Sequence, residues 1–432
     1  MAISLETLSQ AVSGACAAIR CNVRLQPAGG VGDKVFPPTF VADDKQSPLK
    51  YAHEKRRIDG QDVPVVLLDS VASQANRKEE ALLAAWEAGQ LTFPVIGVDF
   101  HGEAGMDDLG FLTALQTPHR IADALLRDAL WHDGEGRDLP FRESPEGQAY
   151  TAASFKNATA VYRLCPTALV FGVWDSTGPR GGLGAKFQRA LVSEIIGVGF
   201  LPGVKTSSRI DPAGIQSNVG VYHLASDPSD WTADVAEAQK DKKGEPIPFS
   251  RSGEGKGKPS SVNHSNVAPT KDDTSGGVTF DYALQTTVLS LPALRRLRFP
   301  VDASGMVIPH DKRLVGENAA RTALAALALA AVALERERGY DLRSRSLLVP
   351  ETASPLAFEF VPADGGSAQV HSLDTAAAIA LFKAAQDQAK NAGFEWQRQP
   401  LKLKPMPKLV SLIRESRRLA ARNGGQESAG AK

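Results

Sequence analysis

The sequence predicts an α/β or α+β sheet domain with long embellishments rather than a regular doubly wound sheet. Three observations predict it. Strand-like runs at residues 20–27, 63–70 and 356–362 are short and have helical patterns as neighbours. Strands and helices alternate irregularly, with long polar stretches between them. No internal repeat is present, which removes solenoids and propellers.

Taken in order, residues 3–19 read as a helix and 20–27 as a strand, ended by Pro27 and the glycine-rich AGGVGDK. Residues 37–61 are polar and Pro-containing, a loop excursion. A strand at 63–70 leads into a helix over 70–89 that Gly89 ends. Residues 91–100 are strand-like. Residues 117–131 read as a helix, with Thr117 as cap and Pro118 at its first position. Residues 147–164 are helical, 167–174 a strand and 185–197 a helix. Residues 239–277 are rich in Gly, Ser, Pro, Lys and Asp and nearly free of large apolar side chains, which predicts a long mobile loop or insertion. A strand over 278–291, an Ala-rich helix over 314–338, a strand over 356–362 and a helix over 373–392 follow. From 398 onward Arg398, Lys402, Lys404, Lys408, Arg414, Arg417, Arg418 and Arg422 meet little acid, so the end reads as a basic tail, nucleic-acid-binding or merely solvated. The expected core is 1–238 with 278–395. The expected insertion is 239–277 and the tail 396–432.

The chain has 432 residues, 43% hydrophobic and 23% charged, a mix that fits one large elaborated domain or two to three ordinary ones. Its 49 Lys and Arg offset 49 Asp and Glu, so any nucleic-acid surface has to be a local basic patch. Cys16, Cys21 and Cys165 have neither CxxC spacing nor a disulfide framework, which fits a reducing, cytoplasmic setting. The eight histidines form no HExxH or HxxxH pair, so neither metal nor cofactor is expected. The amphipathic N-terminus lacks the basic region of a signal peptide. The Ala-rich run at 319–338 is bounded by Arg321 and Glu335 and has too short an uncharged stretch to span a membrane, so it reads as a buried core helix.

Four segments carry candidate chemistry. At the 70–89 helix, Asp69 or Ser70 caps the first turn, and Val71, Ala75, Leu82 and Trp86 form the buried stripe. Ser70, Gln74 and Arg77 lie on the adjacent face, beside free backbone N–H groups and a partial positive charge. That surface suits phosphates or single-stranded bases, and it equally suits a capped helix with a solvated face. The loop over 24–38 joins glycines to Arg24, Lys34 and Asp33, but its spacing is neither Walker A nor Rossmann, which leaves ligand approach or a plain tight turn. The loop over 171–191 leads to Lys186 and Arg189, with Phe187, Leu191 and Ile195 on the buried side, a phosphate-backbone cradle. The segment 117–128 adds His119, Arg120, Asp123 and Arg127. Asp123 and Arg127 are spaced to pair, and His119 beside a carboxylate has the makings of a general base. No GxSxG elbow occurs, and no enzyme is expected.

Six segments in series then carry a resemblance: LQPAGGVGDKVFPPTF, LLDSVASQANRKEEAL, TPHRIADALLRD, CPTALVFGVWDSTG with GGLGAKFQRALVSEIIG, GKPSSVNHSNVAP with GGVTFDYA, and LSLPALRRLRFP. Their order and separation resemble the type I-G (formerly I-U) CRISPR RAMP family, the Cas "seven"-type backbone subunits of Cascade effectors. The likeness spans residues 20 to about 300 and weakens towards 395. It implies an α+β, modified RRM-like (ferredoxin-like) core with large insertions. It also implies copies assembled as a helical filament along the spacer of a CRISPR RNA, presenting bases to target DNA without cutting. Implied partners are CRISPR RNA, target DNA through the guide, further copies of the chain, a large PAM-recognising subunit, a guide-processing and capping subunit, and a recruited helicase-nuclease. No membrane partner is implied. By motif, the implied RNA-binding residues are Arg24, Gln26, Gly29, Gly30, Lys34, Ser70, Gln74, Asn76, Arg77, His119, Arg120, Lys186 and Arg189. Lys256, Lys258, Asn263 and His264 would belong to a thumb or finger. The alternative is a metal-dependent endoribonuclease of the same superfamily using Asp33.

Overall fold

From Ile19 to Leu25 apolar and polar residues alternate, the period of a strand covered on one face. The computed structural model, which describes residues 2–41, 49–178, 185–250, 256–302, 304–351 and 356–422, makes this run the spine of the main sheet. Ile19, Cys21 and Leu25 of strand β1 (Cys16–Pro27) face the core, while Arg20, Asn22 and Arg24 face outward. Along the chain β2 (His53–Ile58), β3 (Gln61–Asp69), α1 (Val71–Glu87), β4 (Leu191–Val198), β5 (Tyr282–Ser290), α2 (His310–Arg338), β6 (Leu347–Pro350) and β7 (Leu356–Pro362) follow.

All sheet pairings here are antiparallel. β1 pairs β5 from Ala18 opposite Ser290 to Leu25 opposite Ala283, β5 pairs β4, β4 pairs β3, and β3 pairs β2. The other edge of β1 is shared: β7 takes its first half and β6 its last three residues. Leaving aside β2, β3 and β6, the order is β7-β1-β5-β4, with α1 before the second strand of the chain and α2 before the last. That is the βαββαβ ferredoxin-like arrangement. The fold is α+β, an RRM-like core with insertions.

α2 fills one face of the sheet. Its alanines favour the helix and keep it slim, and from Ala319 to Glu335 every residue is buried. The helix is long and apolar enough by composition to cross a membrane, but 94% of its most apolar window is buried inside the fold. It begins at His310, four residues before the sequence placed it.

The expected basic tail is part of the core unit. Leu401–Pro405 is the middle strand of a second, five-stranded sheet, parallel to Ile96–Asp99 and antiparallel to Ala129–His132. Pro407–Arg422 is a helix. Most of its cations are matched: Lys402 to Asp99 at 2.9 Å, Lys408 to Asp128 at 2.7 Å and Arg417 to Asp108 at 2.8 Å. Residues 423–432 of that tail lie outside the described residues.

Several expected elements change type. Residues 185–197 are not a helix: Lys186–Phe187 and β4 are strands, because β-branched Val192, Ile195, Ile196 and Val198 fit the slot between β3 and β5. Residues 167–174 are not a strand: Pro166–Phe171 is a fully buried helix with Pro at its start, where the missing N–H is harmless. The helix expected over 117–131 is broken. Arg120 has φ +52, Asp123 caps a single turn at Ala124–Arg127, and Ala129–His132 is a strand. Residues 37–61 contain β2, residues 152–158 interrupt the expected 147–164 helix, and the first helix ends at Gln10, leaving Cys16 to begin β1.

The chain divides into two compact units, one of Met1–Pro38, His53–Phe200 and Phe280–Lys432, the other of Thr39–Ala52 and Leu201–Thr279. The insertion therefore starts at 201, not 239, and enters between β4 and β5. It is folded rather than a free loop. Lys205–Arg209 pairs Val267–Asp272, Leu201–Pro202 pairs Val278–Thr279, and the Gly277 N–H donates to the Tyr51 hydroxyl at 2.7 Å. Residues 251–255 lie outside the described residues.

Candidate nucleic-acid interface

α1 starts as its sequence requires: Ser70 is extended, and its Oγ accepts the Ser73 N–H at 3.2 Å. The polar residues behind it turn inward. Asp69, fully buried, accepts from Ser73 Oγ at 2.7 Å, Gln74 Nε2 at 2.7 Å and Arg77 Nε at 2.9 Å. Arg77 also donates to the Asp341 and Leu342 carbonyls, so it fastens the chain after α2 to the start of α1. Gln74 is buried too, its Oε1 accepting from Lys78, Ser193 and Gln285. Lys78 meets Glu335 of α2 at 2.6 Å, and Gln285 meets the Tyr340 hydroxyl. Within this motif Gln74 lies in the interior and Arg77 is half-buried and engaged, while Asn76 is exposed. The expected polar face of α1 is thus mostly a buried network between sheet and helix.

The first glycine loop is a pair of tight turns: Gly30 N–H donates to Pro27 and Asp33 N–H to Gly30, with Gly30 at φ +93. A side chain on Gly29 would meet the Asp33 carboxylate at 2.1 Å, and Asp33 Oδ1 accepts the Lys34 N–H. Arg24 sits 3.0 Å from Glu351 with its guanidinium 3.8 Å from the centre of the Tyr282 ring. Gln26 is half-buried and its backbone pairs Val349 of β6. Among the described residues no three His, Cys, Asp or Glu side chains gather as metal ligands would.

The structure does bring together two motifs that lie over fifty residues apart. His119 and Arg120, from the first, line a depression of about 820 Å³ with Trp174, Lys186, Gln188 and Arg189 from the second. Arg120 is its buried anchor. Glu79 of α1 grips it through two hydrogen bonds, at 2.7 and 2.6 Å, and Nη1 donates to the Gly172 carbonyl at 3.0 Å. Burial pushes the Glu79 carboxyl up to about 7 against the pull of Arg120 and Arg189. Gly172, at φ +85, leaves no room for a side chain: one there would meet Arg189 Cγ at 2.9 Å. Arg189 Nε donates to the Phe171 carbonyl at 3.2 Å, and burial lowers its pKa. Over this floor His119, Lys186 and Gln188 are exposed, and Trp174 is 55% exposed with the Lys186 ammonium 4.9 Å from its ring centre. Asp123 does not pair Arg127. It accepts the His119 and Leu125 backbone N–H groups, while Arg127 pairs Asp128 at 3.0 Å. The glycines of the second loop, within 179–184, lie outside the described residues.

Trp174 is the residue that sequence reasoning passed over. Its signal was present: an aromatic at the edge of a Gly-rich loop followed by a lysine and an arginine. An exposed indole flanked by cations stacks bases and neutralises phosphates, the pairing used on single strands.

In the second unit Lys256, Lys258, Asn263 and His264 are exposed. Asn263 is left-handed at φ +63, and His264 Nδ1 lies 3.2 Å from Asp211 with Trp231 edge-on at 6.5 Å.

Cys16, Cys21 and Cys165 are free and buried, and burial pushes the Cys21 thiol up to about 12. Residues 19–201 match a family model described as CRISPR-associated protein GSU0053, which identifies a CRISPR-associated protein family. No curated protein matches the chain.

Proposed function

We propose that this chain, a CRISPR-associated protein by its residues 19–201, is a non-catalytic, guide-RNA-binding backbone subunit of a type I-G Cascade complex that works in the cytoplasm. The observation that carries the reading is the depression where Trp174, Lys186, His119 and Arg189 meet on the RRM-like core. Its aromatic-plus-cation chemistry takes a single strand without regard to sequence, which is what a spacer-binding subunit requires. The zero net charge fits weak binding by one copy and strong binding by many in a row. The unit inserted between β4 and β5 is the thumb candidate, with Lys256, Lys258 and His264 as its contacts. Copies of the chain line the spacer. A large PAM-recognising subunit, a guide-processing and capping subunit, target DNA and a helicase-nuclease complete the assembly.

The test is mass photometry of the protein with single-stranded RNAs of increasing length. Mass should climb in even steps, and Trp174→Ala with Lys186→Ala should abolish the steps. A single discrete species with every RNA, both alone and with the partner subunits and a repeat-bearing RNA, would overturn the reading. The alternative, cleavage at Asp33, is read in the same samples: metal-dependent shortening of guide-complementary RNA that Asp33→Ala abolishes would favour it.

A further inference from the structure

The segment LSLPALRRLRFP shares in the family likeness, yet none of its residues lines the Trp174 depression. Its three middle arginines differ in what holds them. Arg295 donates to the Cys16 carbonyl at 2.9 Å, and Arg298 pairs Glu317 at 2.8 Å. Arg296 is exposed, and among the described residues its guanidinium has neither a hydrogen bond nor an ion pair. It lies 5.6 Å from the centre of the Phe155 ring. Phe155 is half-buried and does line the depression, with the Phe187 ring edge-on at 5.3 Å. Two backbone hydrogen bonds fix this neighbourhood. The Arg298 N–H donates to the Phe155 carbonyl and the Ala158 N–H to the Arg298 carbonyl, both at 2.9 Å. The lining of the depression contains no carboxylate. Glu79, beneath it, is taken up by Arg120.

We propose that Phe155 and Arg296 form a second nucleotide position: a single RNA strand leaving Trp174 runs on across Phe155 to a phosphate contact at Arg296. The inference rests on the reading of the depression as an RNA groove and extends that groove by one step. A guanidinium beside an aromatic ring keeps its N–H fork for phosphate oxygens. The accessible part of the ring offers apolar surface to a second base. Trp174 with Lys186, then Phe155 with Arg296, repeats one ring and one cation, as a strand repeats one base and one phosphate. Without a carboxylate in the lining, nothing there repels the backbone.

Fluorescence-anisotropy titration of the full chain with a labelled oligouridylate, over a series of salt concentrations, tests it. Arg296→Ala should weaken binding about threefold to tenfold and lower the slope of log affinity against log salt by about 0.7, one phosphate contact. Arg296→Lys keeps the charge and should restore the slope. Phe155→Leu removes the ring and should weaken binding about fivefold or more with the slope unchanged. If that variant folds poorly, the two Arg296 variants still decide, because the Arg296 side chain is exposed. Lys383→Ala, at an exposed cation of the helix Thr375–Asn391 outside the depression, should leave binding unchanged. A silent Arg296→Ala beside a weakened Trp174→Ala would overturn this proposal and leave the Trp174 reading standing. Both variants silent, or no binding by the unaltered chain even at low salt, would overturn both. Equal loss on Lys383→Ala would mean that bulk charge alone is at work, and would overturn the second position.

Discussion

The start of α1 and the depression around Trp174 use the same residue types to opposite ends. Both follow an apolar run, and both bring cations and amides to a chain turn. At α1 the cations and amides are consumed: Arg77 brackets Asp69 and two carbonyls, and Gln74 and Lys78 join Glu335, Gln285 and Ser193 beneath the sheet. In the depression Arg120 is held by Glu79 and Arg189 donates to the Phe171 carbonyl, while Lys186, His119 and Trp174 remain outside. The difference lies in what covers each region. α1 is wedged between β4 and α2, so its polar groups lose water and must find partners inside. Among the described residues the Lys186–Phe187 strand pairs only with Val173–Trp174, and Trp174 and Lys186 are exposed. A basic helix start is thus no binding site by itself.

Four experiments break or sharpen that contrast. The largest effect is expected at Glu335→Gln, which leaves the Lys78 ammonium buried without its carboxylate and should cost about 3–5 kcal/mol in denaturant unfolding. Asp69→Asn turns one of the two carboxylate oxygens that accept from Ser73, Gln74 and Arg77 into a donor and removes the charge facing Arg77. A loss of about 2–3 kcal/mol is expected by the same measurement, and a neutral result would mean that the network is solvated after all. Trp174→Ala should move stability by no more than about 0.5 kcal/mol yet weaken single-stranded RNA binding by about 1–3 kcal/mol in filter or fluorescence titrations. If stability falls instead, Trp174 is a packing residue and the contrast fails. Lys186→Ala should change least, lowering the slope of log affinity against log salt by about 0.7, the release from one phosphate contact on a single strand.

Legibility in the sequence followed the strength of local patterning. β1, α1 and β5 were readable because period-2 or period-3.6 burial persists over many residues in each, and α2 because its long Ala-rich run favours a helix although residues 319–335 are buried all round. Residues 167–174 and 185–197 were misread in opposite directions, since both are short apolar runs in which periodicity cannot separate helix from strand. The sheet slot between β3 and β5 made one a strand, and burial on every side let the other be a helix. The tail misled through composition: its lysines and arginines find Asp99, Asp108 and Asp128, acids that lie some three hundred residues earlier.

The sequence by itself determined the mixed class of strands and helices, the strand that anchors the sheet and a cap at Asp69 or Ser70, because each rests on neighbours within a few turns of chain, and it carried the family likeness through the order of six segments. Which cations remain free was decided only by the tertiary structure. Arg77, Lys78 and Arg120 lose their solvent to elements far along the chain and gain partners there, while Lys186 keeps its water beside Trp174. Desolvation depends on what packs above a residue, and no local pattern encodes that.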